Sequence, residues 1–109
     1  MIAAVTLLLM LSAASGTDPV AGPITGTWAC QSMNAGAYTG RSCRQEPWLK
    51  LHPDKTYDWG RETGSWEYNG GVLSLSGRSG KGRLDTGGKL IYEYVLRGQH
   101  YLLTLYRRQ

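Results

Sequence analysis

Two histidines, His52 and His100, are the only imidazoles in the chain, and they bound its acid–base chemistry. A nucleophilic enzyme needs a serine or cysteine held beside such a base. No Gly-x-Ser-x-Gly elbow is present to present a serine in that way. His52, Asp54 and Asp58 form the one local cluster of metal-ligating types. Its H-x-D-x-x-x-D spacing matches no zinc set, and no second histidine lies nearby in sequence. The aspartates, asparagines and glycines do not build a calcium loop either. Asp54, Asp58, Glu62 and Glu67 are carboxylates of the kind a glycosidase pairs across a cleft, about 5–9 Å apart. Here they fall in or beside turns, where carboxylates are ordinarily solvated. Gly77 to Arg83 (G-R-S-G-K-G-R) could wrap an anion with backbone amides and charge. It is not a phosphate-binding loop, because Lys81 precedes Gly82 rather than a serine or threonine opening a helix. These residues therefore point to no catalytic site, no metal site and no cofactor.

The elements that would carry any site are strands. From Trp48 to Gly77 apolar and polar residues alternate: Leu49 and Leu51 around Lys50, Tyr57 and Trp59 around Asp58, Trp66 and Tyr68 around Glu67, Leu73 and Leu75 around Ser74. A period of two marks a strand with one buried face. Pro53-Asp54, the Gly60 to Gly64 segment and Asn69-Gly70-Gly71 supply the breaks, so the stretch reads as four short strands. Upstream, Ile24 to Gln31 reads as a first strand, and Asn34 to Arg41 as a polar loop. Downstream, Arg83-Leu84-Asp85 reads as a short strand. Lys89 to Leu96 and His100 to Arg107 are long ones, apolar on both faces, which places them centrally or at a closure rather than at an edge. The fold class is all-β: an antiparallel meander of about eight short strands, with short links throughout, closing into a small barrel.

The flanks bear on location. Residues 1–16 form an apolar run ending in Ser12-Ala13-Ala14-Ser15-Gly16, the pattern of a secretory signal peptide and too short for a membrane span. Residues 17–23 carry two prolines and a glycine and read as a linker, so the folded domain is expected over 24–109. Cys30 and Cys43 are the only cysteines, and in an exported chain they most simply form one disulfide. No Cys-x-x-Cys motif supports a redox role. The protein is expected to be secreted or periplasmic. One domain suits 109 residues. A net charge of +4, spread along the chain, is not the clustered basic footprint of a nucleic-acid binder.

Gly26-Thr27-Trp28 near the start of the domain and Arg107-Arg108 on the last strand resemble the calycin pattern of lipocalins, fatty-acid-binding proteins and avidins. The resemblance implies that Trp28 plugs one barrel end, that Gly26 precedes it on the first strand, and that Arg107 or Arg108 packs over the ring as a cation–π partner. It also resembles the small exported bacterial barrels of the lipocalin-like and lysozyme-inhibitor kind. The second and third lipocalin motifs, the biotin-binding pattern of avidins and the Ser-Gly-x-x-Tyr signature of one inhibitor family are missing.

An eight-stranded barrel holds either packed side chains or one small ligand. The functional expectation is therefore a monomeric, non-enzymatic binding protein. One form would take a small apolar ligand inside, with Trp59, Trp66, Tyr92 and Tyr94 as its contacts. The alternative is an exported inhibitor-type or envelope-associated domain that binds a protein or glycan through its surface loops, Asn34 to Arg44 or Gly77 to Arg83. Exposure of Trp48 would favour the glycan form.

Overall fold

Alternating side chains and left-handed glycines decide where the strands run and where they turn. A computed structural model describes residues 24–108, and the expected signal peptide and linker lie outside the described residues. The strands are β1 (Gly26–Ala35), β2 (Tyr38–Ser42), β3 (Leu49–Leu51), β4 (Thr56–Trp59), β5 (Glu62–Asn69), β6 (Val72–Leu75), β7 (Lys81–Leu84), β8 (Leu90–Leu96) and β9 (Gln99–Arg108). No helix occurs among the described residues, and none therefore is long and apolar enough to cross a membrane.

All pairings are antiparallel, and from β3 onward each strand pairs with the next. β9 then pairs with β1 from Thr27↔Arg108 to Ala35↔Tyr101, closing the ring. The result is a closed eight-stranded antiparallel barrel with β2 added as a ninth strand. β1 is long enough to serve three neighbours. One edge meets β9, while the other meets β3 at Gly26–Trp28 and β2 at Ser32–Ala35.

The segment read as a polar loop, Asn34 to Arg41, is instead a β-hairpin. Gly36, at φ 58°, makes the turn. The register of β1 slips between Cys30 and Ser32, so Gln31 bulges out and the inward phase changes there. That slip hid the second half of β1 from a period-two reading. The long turn read at Gly60 to Gly64 is a tight one, because β5 already begins at Glu62.

The core is aromatic. Trp28, Tyr57, Trp66 and Tyr92 are fully buried together with Leu49, Leu73, Leu90 and Leu105. The polar tips of the buried indoles end on backbone carbonyls: Trp28 Nε1 donates to Ile24 O and Trp66 Nε1 to His52 O, each at 3.0 Å. Cys30 and Cys43 form a buried disulfide with Cα atoms 5.5 Å apart, tying the end of β2 to the middle of β1. Such a bond belongs with an oxidising environment.

Candidate functional site

The two barrel ends differ. At one end β1 starts and β9 stops. Trp28 fills this end, and the Arg107 guanidinium lies 4.5 Å above its ring. Arg107 also donates a hydrogen bond to Thr25 O, which fixes the cation over the indole. Gly26 sits at φ 130°, and a Cβ there would lie 2.6 Å from Arg107 Nη1. The plug, its cover and the glycine thus form one packed unit. Arg108 stacks instead on Trp48, 4.6 Å from the ring, on the outside of the wall.

At the other end lie the β1–β2 turn, the β2–β3 loop, the β4–β5 turn, the β6–β7 loop and the β8–β9 turn. Its floor is a row of rings. Arg78 stacks on Trp59 at 4.0 Å, and Trp59 meets Tyr92 edge-on at 5.3 Å. Tyr92 leans on Tyr94 at 6.1 Å, and Tyr94 stacks flat on Tyr101 at 4.9 Å and 8°. Offset and edge contacts of this kind are the favoured aromatic geometries. Trp59 Nε1 donates to Pro47 O, which anchors the ring to the β2–β3 loop.

A polar clamp holds the β6–β7 loop over this floor. Tyr57 Oη donates to Glu62, Arg78 Nε donates to the other Glu62 oxygen at 2.9 Å, and Gly77 N–H donates to Tyr57 Oη. Burial first, and then the bond to Glu62, hold the Tyr57 hydroxyl above its usual range, so it stays a donor. Burial also raises Tyr94 and pushes Tyr92 up to about 12. Tyr92 Oη is buried and has no hydrogen-bond partner among the described residues.

Above the floor one wall rises higher than the rest. β3 begins at Leu49 and β7 at Lys81, whereas β8 and β9 continue past the Glu93–Lys81 pair and β1 continues into its pairing with β2. The inward face of this four-stranded overhang follows from register. Tyr38 opposes Ala35, Ala35 opposes Tyr101 and Tyr101 opposes Tyr94, with Met33 and Arg41 one step below and Leu96 two residues beyond Tyr94. Tyr38 is 64% exposed and Leu96 52%. A cleft of about 540 Å³ lies beneath, between Arg78, Gly80, Glu46 and Leu96.

The residues named from sequence as ligand contacts divide between floor and core. Trp66 and Tyr92 are fully buried and Trp59 is 6% exposed, all packed against each other's neighbours in the core. Tyr94 is half-buried on the overhang. Trp48 is 43% exposed and borders a shallow groove with Lys50, Glu46 and Asp58. His52 and Asp58 meet at 2.9 Å on the outer wall, while His100 meets Glu93 at 3.2 Å on the other side of the barrel, so the imidazoles do not converge. No group of three or more His, Cys, Asp or Glu among the described residues could hold a metal ion. Tyr38 falls within Asn34 to Arg44, one of the two loops named from sequence, whereas Met33, Tyr101 and Leu96 were not named as contacts. The grouping of Met33 with Leu103 and Tyr101 becomes readable only once the bulge at Gln31 is known. No family model, no curated protein and no solved structure matches this chain.

Proposed function

We propose that this chain is an exported, calycin-like binding protein without catalytic activity, and that it engages its partner with the overhang end rather than with the barrel interior. One contrast carries the reading. The interior is filled by Trp28, Tyr57, Trp59, Trp66 and Tyr92, while Tyr38 and Leu96 are left in solvent at one end. Exposed apolar and aromatic side chains gathered at one place mark interaction surfaces in soluble proteins. The buried disulfide supports export, since such bonds persist in oxidising compartments.

A second reading places a small apolar ligand inside the barrel, and the unpartnered Tyr92 hydroxyl supports it as a polar handle. It requires Trp59 and Tyr92 to swing aside.

Native mass spectrometry of the protein recovered gently from its source separates the two. A bare mature mass is expected, and a reproducible small-molecule adduct would overturn the overhang reading. A photo-crosslinking residue at Leu96 is then compared with one at Val72, which is similarly exposed at the opposite end. Crosslinks from position 96 alone are expected; equal crosslinking from both refutes the assignment.

A further inference from the structure

We infer that the partner is an acidic protein segment carrying apolar side chains, laid across the overhang; this rests on the overhang reading and names its ligand class. The argument begins with arginine. Three of the five connections place one there: Arg61 in the β4–β5 turn, Arg78 in the β6–β7 loop and Arg97 in the β8–β9 turn, while Arg44 of the β2–β3 loop lies on the outer wall beside Lys89 and Tyr106. Arg41, on β2, lies 5.2 Å over the Tyr38 ring. Against them stand Glu46 and Glu62, and Glu62 is already held by Arg78 and Tyr57. Arg61 and Arg97 make no ion pair or ring contact among the described residues.

The opposite end holds more of its charge in contacts. Arg107 lies on Trp28, Arg108 on Trp48 and Lys55 on Trp66, which leaves Lys89 of the β7–β8 turn. Its turns also carry Asp54 and Asp85, whose carboxylates accept bonds from Thr56 and from Gly87 and Lys89.

Guanidinium groups recognise carboxylates with paired donors, and they supply both on-rate and specificity when arranged around an uncharged centre. Here the centre is Tyr38, Met33, Tyr101 and Leu96. Tyrosine and arginine together are the side chains that dominate protein–protein hot spots. Met33 and Leu96 offer a sugar chain nothing to hydrogen-bond, which favours a polypeptide over an acidic polysaccharide. Among the described residues β1 is the only strand neighbour of β2, so β2 adds an open strand edge beside this face.

The experiment is selection of a random 12-residue displayed peptide library on the full chain, with a heparin oligosaccharide tested in parallel by titration. Enrichment of peptides rich in Asp or Glu with Leu or aromatic residues is expected. Their binding should weaken at least about tenfold in the Arg41→Gln/Arg97→Gln double variant, as loss of charge-assisted bonds implies. It should also weaken as salt rises from about 50 to 300 mM. Both arginines are exposed, so the variant is expected to melt like the parent. Enrichment of basic or neutral peptides that still lose binding on Leu96→Asp overturns the acidic partner and keeps the overhang. Peptides indifferent to both variants overturn the overhang as well. Heparin binding without peptide enrichment, or no enrichment and no heparin binding, overturns the inference.

Discussion

Replacing Tyr92 with Phe should stabilise the protein. The ring is fully buried, and its hydroxyl has no hydrogen-bond partner among the described residues. A buried hydroxyl left unpaired costs about 1–3 kcal/mol of lost hydration. Removing one oxygen leaves a void of roughly 10 Å³, which at about 24 cal/mol per Å³ costs about 0.2 kcal/mol. The ring contacts with Trp59 and Tyr94 remain. The balance is a gain of about 1 kcal/mol or more, equivalent to about 4–8 °C in Tm for a domain of this size. The same side chain produces an alkaline signature. Burial pushes Tyr92 from 10.0 up to about 12. The folded state thus keeps its proton where the unfolded state gives it up. The associated stability is complete below pH 10 and is lost as pH climbs from 10 to 12, by at most about 2–3 kcal/mol. Urea melts followed by far-UV circular dichroism, at neutral pH and stepwise above pH 9, read both effects, and the Phe variant should lack that part of the alkaline loss. A loss of more than about 1 kcal/mol at neutral pH would mean that the hydroxyl is well bonded. Identical alkaline profiles would mean that it titrates normally. Either result refutes the reasoning.

Other consequences are quickly checked. Trp28→Ala empties the plugged end and strands Arg107 over a void; it should cost about 3–5 kcal/mol in denaturant melts, and a change below about 1 kcal/mol would remove the plug from its role. Reducing Cys30–Cys43, which spans 13 residues, should cost about 3 kcal/mol, and in the native protein neither thiol should alkylate without reductant. Gly80→Ala would place a Cβ 2.5 Å from Glu93 O and 2.8 Å from the Tyr92 ring. Because a backbone carbonyl cannot step aside cheaply, this change should destabilise by about 1–3 kcal/mol and shift the near-ultraviolet tyrosine signal.

Most of the barrel was legible in the sequence because its strands alternate cleanly. Leu49–Leu51, Tyr57–Trp59, Leu73–Leu75 and the long apolar run at Leu90–Leu96 announce themselves by period, and Asn69-Gly70-Gly71 marks its own turn. β2 was not legible. Its five residues, Y-T-G-R-S, are all exposed, so no buried face imposes a pattern. Gly40 takes φ 67° within it, and the bulge at Gln31 shifts the phase of its partner strand. The candidate site was half legible. Trp59, Trp66, Tyr92 and Tyr94 stand out as large rings on inward faces, but sequence cannot say whether inward rings fill a barrel or line a cavity. That depends on how they meet, and Trp59 and Tyr92 meet edge-on. Arg41 and Arg78 fell in the two loops offered as alternative contact segments, but only the ring closure brings them to one end together with Arg97.

Closure through β1 and β9 also fixes when this protein can fold. The bond from Arg107 to Thr25 O joins residues 82 apart in sequence, and the longest ladder of the barrel is the one between the first and last strands. A chain lacking β9 leaves β1 and β8 as open edges and the Trp28 plug uncovered. Folding therefore waits for the last strand, and such non-local pairing is entropically slow. A chain that stays unfolded until β9 is available stays threadable until then, and forms lacking β9 expose sticky edges that quality-control proteases can recognise.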